Sequence, residues 1–449
     1  MKTNHPCNSA SFLESFSKLI SIDQVDSICG RAAHGLGAPS IISTTEILIG
    51  LVYHFFTGAG TLATHVNRLL GKKMSNSALS QRRANLPLEI FEKIMKVALK
   101  PLAFEEQHSD CFYKGLRLVA IDGTQFSAPN RAPILDKWTK SASRRLESAF
   151  VKIGICTLIE IGTHHPLAVA IGENQESELA LAFKILGSLP SKSLLIADRL
   201  FGTGSTVEEI TKICKNVESS FFIRVRSNLK TKVKEIYSDG SALVEVAVRD
   251  EENPNKIKST LLVREIRARI QQPGKEWSTM IFWTNLLDPN LYPSSELVPL
   301  YAKRWEHELY YKQLKIDLHC GELLQSQTAE TCLQEIAALI LASAILAQER
   351  LALADSEGLP SVRVSLAKTQ DLLDALWIVL KAAQTLFNTQ QCDDLITVTL
   401  ATIRKEVVLP ARKPRSCPRE VRQPVKKWPR LIKNNSVSGL VNIEITPIS

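Results

Sequence analysis

The sequence predicts an α/β fold, a mixed sheet of short apolar strands set between helical N- and C-terminal regions. Three observations predict it. Short apolar runs alternate with helix-length segments between residues 116 and 225. Residues 226–290 carry two-residue alternation broken by turn signals. Residues 9–105, 328–355 and 367–388 carry helical periodicity.

Residues 44–56 are apolar and helical, Gly58-Ala-Gly60 breaks them, and Thr61 to Leu70 resumes. Gly71-Lys-Lys-Met is a turn, and Ser75 is a suitable N-cap for a helix running through Arg82 and Arg83. Short helices, tight turns and a basic helix start resemble a helix-turn-helix, which makes Arg82 and Arg83 candidates for DNA contact.

The apolar run Leu116–Ile121 ends at Asp122-Gly-Thr124, and Leu194–Ala197 ends at Asp198. Both aspartates are expected at the carboxyl end of a short buried strand, the edge where open α/β sheets form sites. Residues 123–149 read as a long connection with Arg131, Lys137, Lys140, Arg144 and Arg145, a candidate DNA contact. Residues 150–160 and 165–171 read as a hairpin turning at Ile161-Gly-Thr-His, with His164 and His165 in a solvated turn. A helix over 176–188 leads to the Asp198 strand, and a helix over 205–215 leads to a strand at 221–225. Three strands, helix, strand, helix, strand and a later helix is the order of a ribonuclease-H-like core.

In the alternating segment that follows, Asp239-Gly240 and Pro273-Gly274 mark turns, and Trp277 and Trp283 are expected in its core. The next helix is expected to start near Ser295, with Pro299 close to that start. It carries Tyr301, Arg304, Glu308 and Lys315 at the spacing Y-x2-R-x3-E-x6-K. At about 100° per residue these four fall within an arc of about 60°. A carboxylate beside two cations and a phenol suits a metal ion and a phosphate held together. With Asp122 and Asp198, Glu308 completes a set of three acids in the order Asp, Asp, helical Glu.

These motifs together resemble the transposases of the IS4 family of bacterial insertion sequences, over most of the chain. The family's Y-(2)-R-(3)-E-(6)-K signature is matched at Tyr301, Arg304, Glu308 and Lys315. Its D-G-T acid is matched at Asp122, and its A-D-R-x-F acid at Asp198. The resemblance implies DDE-type cut-and-paste DNA transposition by two-metal phosphodiester hydrolysis and strand transfer, through a hairpin intermediate. It implies two Mg²⁺ ions, with Mn²⁺ able to substitute, Asp122 bridging both and Asp198 and Glu308 holding one each. Tyr301, Arg304 and Lys315 would contact DNA phosphate. The implied partners are double-stranded terminal inverted repeats, target DNA and a second copy of the chain in a synaptic homodimer.

The bulk properties agree. A chain of 449 residues can bury a substantial core. The start lacks the apolar core of a signal peptide, and the run Ile336–Ala347 is too short to span a bilayer, so bacterial cytoplasm at the nucleoid is expected. Nine scattered cysteines show no C-x2-C pair and read as reduced thiols, and no G-x4-G-K-[ST] phosphate loop occurs. The net charge is +9, and residues 412–433 hold nine Lys/Arg against one Glu. This Pro-broken basic tail, with Lys426, Lys427 and Trp428, suits contact with a phosphate backbone.

The expected organisation is an N-terminal helical DNA-binding domain (1–110) and a ribonuclease-H-like catalytic core (111–225). A β-rich insertion (226–290) interrupts this core before its Glu-bearing helix (291–325). A helical C-terminal region (326–411) and the basic tail (412–449) follow. The alternative is a non-catalytic DNA-binding or regulatory protein derived from a transposase, against which three intact acids argue.

Overall fold

Among the described residues, six short helices come first: α1 (Phe12–Leu19), α2 (Ile22–Ala32), α3 (Thr44–His54), α4 (Leu62–Leu70), α5 (Asn76–Ala84) and α6 (Leu88–Ala98). The computed structural model describes residues 11–32, 42–57, 60–140, 147–250, 253, 256–318, 323–383, 386–410, 415–416 and 437–448. Local sequence sets the helix ends. Ser43 and Glu46 close a capping box on α3, Gly71 ends α4 at φ 68°, and Ser75 caps α5.

Next come β1 (Phe112–Tyr113), β2 (Leu116–Ala128), α7 (Ala132–Leu135), β3 (Val151–Glu160), β4 (His165–Ile171), α8 (Glu178–Leu186), β5 (Ser193–Ala197), α9 (Gly204–Asn216) and β6 (Ser220–Val225). Four more strands follow: β7 (Thr231–Ile236), β8 (Ala242–Arg249), β9 (Ile257–Gln271) and β10 (Ser278–Thr284). After α10 (Ser294–Leu300) the chain makes a 3₁₀ turn (Tyr301–Arg304), α11 (Trp305–Lys312) and a π turn (Gln313–Asp317). It ends with α12 (Ala329–Ser356), α13 (Leu366–Ala383), α14 (Thr389–Val407), β11 (Arg415–Ser416), β12 (Val437–Ser438) and β13 (Asn442–Ile445).

The chain divides into two units. The first takes Met1–Pro190 and Trp305–Leu409. Its core is α12, about 42 Å long, against which α1, α3, α6, α13 and β4 pack. By length and composition α12 could cross a membrane, but 89% of its apolar window is buried inside the protein. The short N-terminal helices cannot bury their apolar faces alone, and α12 supplies the missing surface. In the same unit β2, β3 and β4 form an antiparallel meander, with α8 packed on β3.

The second unit takes Ser191–Arg304 and Pro410–Ser449. Here β5 pairs parallel with β6 through the α9 crossover. β10 pairs antiparallel with β6, and β9, β8 and β7 follow in an antiparallel series, with β13 on β9. The strands expected as an insertion thus add directly to β6 as one sheet. Trp283 is buried and donates to Glu265 Oε2 at 3.0 Å, as a core tryptophan should. Trp277 is not in the core: it is half-exposed beneath the Arg269 guanidinium.

Candidate active site

β2 is longer than its sequence signals. Asp122 sits in the middle of a 13-residue strand, not at its end. The ladder to β3 continues past it to Ala128↔Val151, and this overrides the turn preference of Asp-Gly. The expected 123–149 connection is therefore shorter, and α7 occupies part of it. Arg144 and Arg145 lie outside the described residues, as do Lys426, Lys427 and Trp428.

Four contacts surround Asp122 in the first unit. The Gly123 N–H donates both to Asp122 Oδ1 at 2.9 Å and to Glu178 Oε1 at 3.0 Å. A Cβ on Gly123 would lie 2.5 Å from the Glu178 side chain, so only glycine allows this approach. The Tyr311 hydroxyl donates to the Asp122 carbonyl oxygen at 2.6 Å. Lys315 Nζ donates to Thr124 Oγ1 at 2.5 Å. Thr124 lies two residues from Asp122, on the same face of β2. Glu308 is half-buried on α11, one helical turn before Tyr311 and two before Lys315.

Asp198 directly follows β5 in the second unit, as expected, and accepts from Leu200 N at 2.7 Å in a tight turn. Gly202 closes this turn against β6, where a Cβ would lie 2.6 Å from the Arg224 carbonyl oxygen. Tyr301 packs its ring edge-on to Phe282 at 5.0 Å, and the Arg304 guanidinium lies 5.8 Å from the ring centre. Burial raises the Tyr301 pKa, Arg304 and Arg224 oppose that rise, and Asp198 adds to it. Asp198, Tyr301, Arg304 and Arg224 are thus electrostatic neighbours.

Four further expectations are corrected. The signature does not lie on one uniform helix: a 3₁₀ turn carries Tyr301 and Arg304, and a π turn carries Lys315. Their angular steps differ from 100°, so the ideal arc does not apply. α10 is also capped differently, because Ser294 donates backbone and hydroxyl to Asp239 and Pro293 stands at the N-cap. The His164-His165 turn is buried, not solvated. His164, at φ 58°, bonds Gln313 and Glu306, and burial pushes the His165 pKa down to about 3. Arg82 and Arg83 fall in the last turn of α5, not at its start. Arg82 bonds the Ile42 carbonyl, and Arg83 bonds Gln334, Ser326 and the Thr331 carbonyl, so its fork is engaged inside the protein.

Sequence reasoning missed Glu178, Tyr311 and Arg224. Arg224 left a signal, a lone charge in the apolar strand Phe221–Val225. Glu178 and Tyr311 left none, because their contacts reach 55 and 189 residues along the chain.

The donor set fits a hard divalent cation. Among the described residues no three His, Cys, Asp or Glu side chains form a ready cage. Mg²⁺ does not need one, since one or two carboxylates plus water and substrate phosphate suffice. Asp122 and Glu178 place two carboxylates at one N–H. Burial, with Glu178 and Asp122 nearby, raises the pKa of the neighbouring Cys156 thiol.

The transposase DDE domain family matches residues 113–345. The transposase InsG of insertion sequence element IS4 from Escherichia coli K12 is 21% identical over 323 residues, 72% of this chain and 71% of that protein. The putative transposase InsZ of the same strain is 26% identical over 129 residues, 28% of this chain and 43% of its own length. Among solved structures, the piggyBac transposase synaptic complex with hairpin DNA aligns with a TM-score of 0.43 and 12% identity, covering 92% of this chain and 88% of that one. Among the described residues Cys29, Cys111, Cys156, Cys214 and Cys332 are unbridged and buried, and Cys392 is unbridged and half-buried.

Proposed function

The chain belongs to the transposase DDE domain family, and from that premise we propose that Asp122, Asp198 and Glu308 are its catalytic acids. It is a DDE transposase of the IS4 type, a DNA-cleaving and strand-transferring enzyme. One observation carries the assignment: the matched residues 113–345 include all three acids together with Tyr301, Arg304 and Lys315.

The catalytic part is read as a ribonuclease-H-like core. Asp122, Asp198 and Glu308 hold divalent ions, Mg²⁺ in the cell with Mn²⁺ as a substitute. Bound there, the ions supply charge relief at the scissile phosphate and activation of the attacking oxygen. Arg304 contacts phosphate oxygens through its planar fork, Lys315 as a point charge and Tyr301 through its hydroxyl. Lys315 is held next to this site by Thr124.

The first step is hydrolysis: water forms a new P–O bond as the P–O3′ bond at the element end breaks. The freed 3′-OH then attacks the opposite strand, forming a hairpin and releasing the flanking DNA. Water reopens the hairpin, and the 3′-OH joins target DNA. Each step exchanges one P–O bond for another. Terminal inverted repeats are bound by the N-terminal helices (1–110), with Arg82 as the arginine of its pair less engaged inside the protein. The residues 226–290, Arg144 and Arg145, and the basic tail with Lys426 and Lys427 add backbone contacts. Two copies, joined through the helical region 326–411, hold the two ends. The protein works on nucleoid DNA in the bacterial cytoplasm.

A pre-cut end with a free 3′-OH, mixed with supercoiled target and Mg²⁺, tests this reading. Covalently joined product is expected. Cleavage without joining would identify a nuclease, and specific binding with neither activity would identify a DNA-binding regulator.

A further inference from the structure

The Asp122 carbonyl ends a chain of buried hydrogen bonds whose direction can be worked out. A carbonyl only accepts, so the Tyr311 hydroxyl donates its one proton to Asp122 O at 2.6 Å. Thr157 Oγ1 lies 2.8 Å from the Tyr311 oxygen and must donate to it. His307 Nε2 lies 2.7 Å from Thr157 Oγ1 and must donate in turn. The order is therefore His307, Thr157, Tyr311, Asp122. Thr157 and His307 are fully buried and Tyr311 nearly so. Thr157 is also the β3 partner directly opposite Asp122.

The peptide group between Asp122 and Gly123 is held at both ends. Its oxygen takes Tyr311 and the Cys156 thiol, and its N–H bonds Asp122 Oδ1 and Glu178. Hydrogen bonds on a peptide oxygen strengthen donation by its N–H. That N–H fixes the rotamer of the Asp122 carboxylate. Tyr311 lies one turn beyond Glu308 on α11, so one helix carries an acid and also the hydroxyl that secures another.

We propose that Tyr311, fed by Thr157 and His307, is a positioning residue that sets the Asp122 carboxylate for metal binding from the helix that carries Glu308. The proposal rests on the reading of Asp122 and Glu308 as metal-holding acids.

The full-length chain is tested as wild type, Tyr311→Phe, Thr157→Val, Thr157→Ser, Asp122→Asn and Glu308→Ala. Inverted-repeat DNA is bound and Mn²⁺ titrated, reading bound Mn²⁺ by electron paramagnetic resonance, cleavage, DNA affinity and melting temperature. Tyr311→Phe and Thr157→Val should each need about 10- to 100-fold more Mn²⁺ for half-saturation, with DNA affinity unchanged and melting lowered only as far as a broken buried hydrogen bond requires. Thr157→Ser, which keeps the hydroxyl, should restore the wild-type titration. The Phe/Val double variant should be no worse than Tyr311→Phe, since the groups act in series. Wild-type Mn²⁺ dependence in Tyr311→Phe overturns the proposal, as does equal impairment of Thr157→Ser and Thr157→Val. If Tyr311→Phe fails to fold, the Thr157 pair decides the same question. Inactive Asp122→Asn and Glu308→Ala beside an unaffected Tyr311→Phe refute the relay alone, whereas an active Asp122→Asn refutes the acid assignment itself.

Discussion

Asp122 and Asp198 are the same residue type, and the fold holds them by opposite means. Asp198 ends a five-residue strand, and its carboxylate accepts from Leu200, two residues on. Asp122 lies in mid-strand and depends on Glu178, Thr157 and Tyr311, residues distant in sequence. One acid is secured by local turn chemistry and the other by tertiary contacts. Damage near Asp198 should therefore appear as lost stability, and damage near Asp122 as lost activity in a folded protein.

The strongest way to break the comparison is to remove each acid's charge. If both acids hold metal as proposed, Asp122→Asn and Asp198→Asn should both lower end cleavage on the order of 10³-fold, a loss of several kcal/mol of metal-derived stabilisation. Gel analysis of cleaved ends checks this. A large loss at one acid and none at the other would mean that the two do not share a reaction.

Two glycines sharpen it further. In Gly202→Ala the new Cβ meets backbone, the Arg224 oxygen at 2.6 Å and Val225 Cα at 2.9 Å. Backbone must shift, so thermal or denaturant unfolding should show a loss of about 1–3 kcal/mol. In Gly123→Ala the obstacle is the mobile Glu178 side chain. That side chain can rotate away, so stability should fall by less than about 1 kcal/mol, while cleavage drops about tenfold as the outer contact is lost.

The smallest effect separates the units by pH. Among the described residues, every histidine lies in the unit that holds Asp122. Burial holds the His165 pKa at about 3, and burial with His65 nearby holds His54 at about 4. Between those values and the ordinary 6.5 the unfolded chain binds more protons than the folded one, so stability falls as pH falls. The slope is at most about 1.4 kcal/mol per pH unit per histidine. Hydrogen exchange at pH 5 against pH 7 should weaken protection in β3 and β4 more than in β6 and β8, once corrected for intrinsic exchange rates. His165→Leu should flatten the dependence.

The same contrast explains what the sequence revealed. The β3–β4 hairpin, α8, α9, β5 and the Asp198 turn were legible because alternation, capping and turn residues act over a few positions. The length of β2 was not, since its extension past Asp-Gly follows from pairing with β3. The burial of His164 and His165 was hidden too, because the cover comes from α12, whose Arg350 bonds the Thr163 carbonyl. The three acids stood out by their motifs, but Glu178 and Tyr311, which secure Asp122, required the tertiary structure.

The most direct test of the acid assignment compares wild type with Glu308→Ala on DNA carrying the inverted repeat found beside the gene, in Mg²⁺ and in chelator. Cleavage at the repeat boundary by wild type in Mg²⁺ alone, with specific binding retained by both proteins, is predicted. Equal cleavage by Glu308→Ala would contradict it.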